Sequence, residues 1–331
     1  MSLCLDPEIF AIVSRWPTPD HPPTIQELRD NESTFFAEAT KWQKENAPAD
    51  SEYNVEDRMI PVDGAQNLAR CLIPASSDET PTQYPLMVWF HGGGYCVGSI
   101  NMDDHYLRQL CVKYRIVVVS VEYRLAPEYP FPIGHNDAYE SLKWAVTNCA
   151  SLNASPSLGL IVGGCSAGGN LAASVALRAR DDPFFSTQPI TGQLIQVPQT
   201  IHPDASIPEK YRSVSQSWTE CAHAPLLSRN DLDMFNVSLK ADPNDPRFSV
   251  LLAPNHAGLP PAVLQIAGAD PLRDEGLAYS KALNDAGVKT KAEFYPGFPH
   301  GGHYAMPRAA LSQRYYQDFE QGLGWLLQRI E

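Results

Sequence analysis

Leu160-Ile161-Val162-Gly163-Gly164-Cys165-Ser166-Ala167-Gly168-Gly169-Asn170 is the stretch whose reading decides the fold. A short apolar run leads into it, and good helix formers at 171–177 lead out, so the chain passes from strand to helix through a glycine-rich turn. Gly164 and Gly168 bracket Ser166 in the G-x-S-x-G spacing of a nucleophile elbow, a turn tight enough to strain the serine and stand its hydroxyl clear of the sheet. A side chain at either glycine would collide where strand and helix cross closely. Alone, the motif competes evenly with an incidental serine in a glycine-rich loop, and distant parts of the chain have to decide.

Working outward, apolar or alternating runs predict strands at 59–62, 68–73, 85–90, 116–121, 190–197, 262–268 and 292–295, with an Asp63-Gly64 turn between the first two. Helical spacing is expected around 106–112, 138–146, 275–286 (stopping at Gly287) and 311–327. Strands alternating with helices predict an α/β fold, a mostly parallel eight-stranded sheet with helices on both faces. The first fifty residues read as helical, with a Thr24–Glu27 capping box. Phe35, Phe36, Ala39 and Trp42 fall at helical spacing, a stripe expected mainly to pack on the body, with a minority at a substrate entrance. Residues 198–236 are polar, aromatic and proline-rich, as an insertion folded over the carboxyl ends of the strands would be. The organisation expected is one domain over 1–331, a cap from about 1–50 and 198–236, and a catalytic core from about 51–197 and 237–331.

With 331 residues, 44% hydrophobic and 19% charged, the chain has the composition of a soluble globular protein. Its net charge of −13 opposes binding to nucleic acid or anionic membranes and favours neutral or cationic small molecules. The opening residues lack a basic segment followed by an apolar one, and no run is apolar enough to span a bilayer. Seven scattered cysteines without a C-x-x-C pair argue against disulfide or metal frameworks, so reduced thiols, a cytoplasmic location and no metal or cofactor are expected.

In an open α/β sheet, reactive groups collect at the carboxyl ends of strands. Four such ends carry suggestive residues: Ser166, the glycine loop 92–94, Asp270 and His300. A serine hydroxyl is a weak nucleophile that needs a base within reach, and the base needs a partner to fix its tautomer. The order Ser…Asp…His fits such a set. His303 competes with His300, and Asp274 with Asp270. His91 reads as a donor that fixes its loop, the 123–128 block as structural, and Cys165 as a small buried neighbour.

His91-Gly92-Gly93-Gly94, Tyr123-Arg124-Leu125-Ala126-Pro127-Glu128, Gly164-Cys165-Ser166-Ala167-Gly168, Asp270-Pro271-Leu272-Arg273-Asp274-Glu275-Gly276 and Phe298-Pro299-His300-Gly301 together resemble the hormone-sensitive-lipase-like branch of the α/β-hydrolase carboxylesterases. The resemblance covers the chain from about residue 58 onward. It implies the α/β-hydrolase fold with a helical cap, Ser166, Asp270 and His300 as catalytic residues, and an oxyanion hole from Gly93, Gly94 and Ala167. The histidine directly before Gly301 favours His300 over His303. The function implied is a serine carboxylesterase acting on small to medium esters, as a monomer or homodimer. A thioesterase, lactone hydrolase or amidase would use the same groups, and a ligand receptor on this fold would lack the histidine. One position departs from the family's habit: Cys165 stands where an acidic residue usually precedes the serine. Phe35, Trp42, Trp218, Leu226, Leu227 and Phe235 supply enough apolar surface in the cap segments to line a pocket.

Overall fold

The computed structural model describes residues 4–17, 21–76 and 83–328. Its eight strands are β1 (Tyr53–Val62), β2 (Ala65–Pro74), β3 (Leu86–Phe90), β4 (Val117–Val121), β5 (Leu160–Cys165), β6 (Gly192–Gln196), β7 (Ala262–Ala269) and β8 (Thr290–Pro299). They form one sheet in the order β1-β2-β4-β3-β5-β6-β7-β8, antiparallel at the β1–β2 and β2–β4 pairs and parallel elsewhere. The expected mostly parallel α/β architecture is present. The period of two along each strand builds two buried layers: Leu86, Val88 and Phe90 enter one, Met87 and Trp89 the other. Helices Ile133–Thr147, Ala167–Asp181 and Arg273–Asp285 cover the first layer, and Asp104–Tyr114 with Ala310–Leu327 covers the second. Burial on both faces explains why the central strands read as continuous apolar runs.

Two registers position the chemistry. The chain leaves β3 for β4 on one side and returns to β5 on the other, so the crevice of the sheet opens at the carboxyl ends of β3 and β5. Phe90 pairs with Gly164, which sets the glycine loop beside the serine turn. On the far side, Ala267 pairs with Tyr295 but Ala269 pairs with Pro299, so two extra residues bulge out of β8. The shift brings Asp270 and His300 off the sheet side by side. Gly297 sits in the bulge at φ 70°, and its carbonyl accepts the Asp6 N–H at 3.1 Å.

Four helices, Pro7–Val13, Ile25–Asp30, Glu32–Phe35 and Ala37–Glu45, precede β1. The Thr24–Glu27 capping box forms in both directions. Between β6 and β7 the chain makes helices Gln216–Glu220 and Arg229–Leu239, the second running past residue 236. Arg29 ties the first region to the sheet: it makes a bidentate pair with Glu128 and donates to the carbonyls of Cys96 and Ala126. Glu275 ties the second, accepting from the N–H groups of Thr200 and Ile201 and from Trp218 Nε1. No helix among the described residues is long and apolar enough to cross a membrane.

Candidate active site

Ser166 caps helix Ala167–Asp181 at φ 57°, ψ −116°, a backbone region costly for a residue with a side chain, on the order of 1–3 kcal/mol. The surroundings enforce it. The Ser166 N–H donates to the Gln196 carbonyl at 2.8 Å, holding the turn to β6. A Cβ at Gly164 would lie 2.3 Å from the Gly168 carbonyl oxygen, and one at Gly168 would lie 2.0 Å from that of Phe90. Glycine is therefore required at both flanks by contact between backbones, as the spacing implied.

Ser166 Oγ donates to His300 Nε2 at 2.9 Å, and His300 Nδ1 donates to Asp270 Oδ2 at 2.7 Å. The direction follows from the carboxylate, which only accepts: it fixes the proton on Nδ1 and leaves Nε2 free to accept. Asp270 is itself held by the Leu272 N–H at 2.8 Å on its other oxygen. Asp270 is buried and His300 only slightly exposed, while Ser166 is half-buried where it borders the cavity.

The competing residues lie elsewhere. His303 is fully buried and stacked on Tyr315 at 4.5 Å, and burial pushes its pKa down to about 3. Asp274 accepts from the Ser217 N–H and pairs with Arg273, holding the insertion rather than a histidine. His91 is buried, with Nδ1 donating to the Gly92 carbonyl at 2.7 Å and the ring stacked on Tyr123 at 4.3 Å. Burial pushes its pKa down to about 4. The Tyr123 hydroxyl donates to the His91 carbonyl and the Ala126 N–H to that of Tyr95, so the 123–128 block clamps the glycine loop.

That loop turns through positive φ at Gly93 (112°) and Gly94 (58°). A Cβ at Gly94 would lie 2.4 Å from the Phe235 ring, which shows how closely helix Arg229–Leu239 presses on the loop. Gly93, Gly94 and Ala167 all border the cavity that holds Ser166 and His300. Ala167 opens its helix, so its N–H has no acceptor within the helix.

The cavity measures about 470 Å³, within the range of small-molecule sites. Phe35, Leu226, Leu227 and Phe235 line it, whereas Trp42 stacks on Tyr316 and Trp218 turns inward to Glu275. Within the early stripe, Phe36 joins the cavity wall while Ala39 packs on the body. Among the described residues no arginine or lysine borders the cavity, and the carboxylates that do are Glu32 and Asp231.

Cys165 is 2% exposed, and burial pushes its thiol well above the usual range, with the nearby Asp103 carboxylate adding to the effect. The thiol beside Ser166 is therefore held in its neutral form. Asp103 escaped the sequence reading. It is buried and accepts from Trp89 Nε1 and the Tyr304 hydroxyl, both at 2.8 Å, so it anchors the turn that follows His300. Burial holds its pKa above the ordinary carboxylate range. Glu275 stands in the 270–276 motif, but its role was not assigned from sequence; burial pushes its carboxyl up to about 8 against three N–H donors. All seven cysteines are free, and among the described residues no cluster of three or more candidate ligands gathers to hold a metal.

Comparison with known proteins identifies the family. Residues 87–304 match the α/β hydrolase fold family. The crystal structure of a vibralactone cyclase superposes with a TM-score of 0.95 at 41% identity, covering 98% of this chain and 96% of that one. An AB hydrolase superfamily protein of Schizosaccharomyces pombe is 38% identical over 287 residues, 86% of this chain and 83% of its own. The carboxylesterase NlhH of Mycobacterium tuberculosis is 36% identical over 257 residues, 76% of each chain.

Proposed function

Because the chain belongs to the hormone-sensitive-lipase-like branch of the α/β-hydrolase family, we propose that Ser166, His300 and Asp270 carry out serine-esterase chemistry on small to medium esters. Membership and relatives make it a carboxylic ester hydrolase. The observation that carries the mechanistic reading is the unbroken hydrogen-bonded line from Ser166 Oγ through His300 to Asp270.

Ser166 Oγ attacks the ester carbonyl while His300 Nε2 takes its proton. Asp270 holds the ring in the required tautomer and stabilises the imidazolium. Negative charge then develops on the former carbonyl oxygen, where the N–H groups of Gly93, Gly94 and Ala167 receive it. Each such donor contributes ~3 kcal/mol to the transition state, aided by the positive end of helix Ala167–Asp181. The imidazolium returns its proton to the leaving alcohol, leaving an acyl group on Ser166. Water, deprotonated by the same His300, attacks that ester and releases the acid. The cap segments, about 1–50 and 198–236, close over the acyl-enzyme and shape the pocket. A cavity bordered by no basic side chain among the described residues suits neutral esters better than thioesters carrying phosphate groups.

Ser166→Ala tests this directly: hydrolysis of 4-nitrophenyl butyrate is expected to fall by about four orders of magnitude or more. Retention of turnover would move the nucleophile elsewhere.

The likeness to a vibralactone cyclase supports a second reading within the same chemistry. An acyl-enzyme whose chain carries its own hydroxyl is released by that hydroxyl, His300 taking its proton, and the product is a lactone instead of an acid. Esters of hydroxy acids distinguish the two, since lactone and free hydroxy acid separate by chromatography.

A further inference from the structure

A second hollow, a surface groove of about 990 Å³, runs between helix Ala37–Glu45 and residues 99–105. Thr40, Lys41, Lys44, Asn101 and His105 border it, so its lining is more polar than that of the cavity around Ser166. The two hollows share three lining residues, Glu32, Phe36 and Met102. These side chains stand between the space around Ser166 and the outside of the cap.

Each of the three is held in place. Glu32 Oε1 accepts the Ser99 hydroxyl at 2.7 Å, closing one end. Phe36 packs edge-on against Tyr304 at 5.0 Å and against Phe35 at 4.8 Å. Met102 is buried; a Cβ built on Gly98 would lie 2.8 Å from its sulfur, and the next residue, Asp103, is pinned by Trp89 and Tyr304. A flexible thioether and one half-buried phenyl ring are thus the main bulk separating two preformed spaces.

Resting on the esterase reading, we propose that Phe36 and Met102 form a partition that ends the substrate cavity and sets the longest ester chain accepted. An extended chain meets this wall, and removing it joins the cavity to the groove, where the chain's far end runs out to solvent. The roles are specific to length: the partition touches the tail of the substrate, not the reacting carbonyl.

The test is the ratio of kcat/KM for long over short chains in two series, 4-nitrophenyl decanoate over butyrate and decyl over butyl acetate. Met102→Ala and Phe36→Ala are each expected to raise that ratio about tenfold in one of the series. Adding Thr40→Trp to Met102→Ala fills the groove from the outside without bordering the cavity, and is expected to return the ratio to the parent value. Ratios within about twofold of the parent in both single variants, with thermal midpoints near the parent's, overturn the proposal. So does a long-chain gain that survives Thr40→Trp, because the wall would then only have deepened the cavity. If Met102→Ala fails to fold, Phe36→Ala and its Thr40→Trp double variant carry the same test. Failure of the esterase reading looks different: butyrate hydrolysis would persist in Ser166→Ala whatever the chain-length ratios.

Discussion

The turn that carries Ser166 and the cap wall that faces it are built by different means. Beneath the cavity, contacts run backbone to backbone: Gly164 against Gly168, Gly168 against the Phe90 carbonyl, the Ser166 N–H on the Gln196 carbonyl. Above it, contacts run side chain to side chain: Phe36 on Tyr304, Trp42 on Tyr316, Trp218 on Glu275. Backbone contacts leave almost no freedom in residue type, whereas side-chain walls can be repacked at modest cost. On the proposed reading, the chemistry is tied to the turn, and substrate choice is left to the cap segments.

The largest effect that would sharpen this contrast lies at the acid. Asp270→Asn is expected to keep the fold and lower kcat by roughly 10⁴, because the amide favours the wrong imidazole tautomer. Asp274→Asn, whose carboxylate serves Ser217 and Arg273, is expected to leave kcat within about tenfold of the parent. Equal losses in the two variants would break the distinction between them.

Next comes the point where the two regions meet. Gly94→Ala places a methyl 2.4 Å from the Phe235 ring and strains a residue at φ 58°, so kcat is expected to fall about 10²–10³-fold as one oxyanion donor is displaced. Phe235→Ala in the same chain relieves the clash but not the backbone strain, so only part of the loss is expected to return in steady-state kinetics. Complete rescue would mean that the cap, and not the loop, sets the geometry.

The smallest expected effect is on stability. Burial pushes the pKa of His91 and His135 down to about 4, and that of His303 to about 3, whereas each titrates near 6.5 when unfolded. Below about pH 6.5 the unfolded chain takes up protons that the folded one refuses, so this stability is present above that pH and lost as pH falls toward 4. Glu275 acts in the opposite sense: its folded value of about 8 lies above the unfolded one, so its contribution is present below about pH 4.5 and lost as pH rises through 8. Asp103, raised by burial, acts in the same sense as Glu275, and three histidines outweigh these two carboxyls between pH 4.5 and 6.5. The thermal midpoint is accordingly expected to drop on acidification, and His303→Phe to flatten that limb. An unchanged acid limb in the variant would show that His303 protonates freely in the folded state.

The same contrast explains what the sequence could tell. The serine turn was legible because Gly164 and Gly168 are required by contacts within a few residues and by the adjacent β3. The strands were legible because burial on both faces leaves continuous apolar runs. Strand β6 starts at Gly192 rather than Ile190 because the Thr191 N–H and hydroxyl both bond Leu160, capping the neighbouring strand instead. Which of the early and inserted aromatics line the cavity was not legible: Trp42 and Trp218 are pulled inward by Tyr316 and Glu275, partners far along the chain. Met102 and Asp103 lie in a loop without periodicity, and only the fold brings them to Phe36 and Tyr304. The two-residue bulge that aligns His300 with Asp270 likewise left no local pattern beyond Gly297.

The central claim, that Ser166 is the nucleophile activated by His300, meets its most direct test in labelling with a serine-reactive alkyl phosphonate read by intact-protein and peptide mass. The account predicts one adduct per chain, on the peptide containing Ser166, lost in Ser166→Ala and slowed by orders of magnitude in His300→Gln. An adduct on another residue, or undiminished labelling of Ser166→Ala, would contradict it.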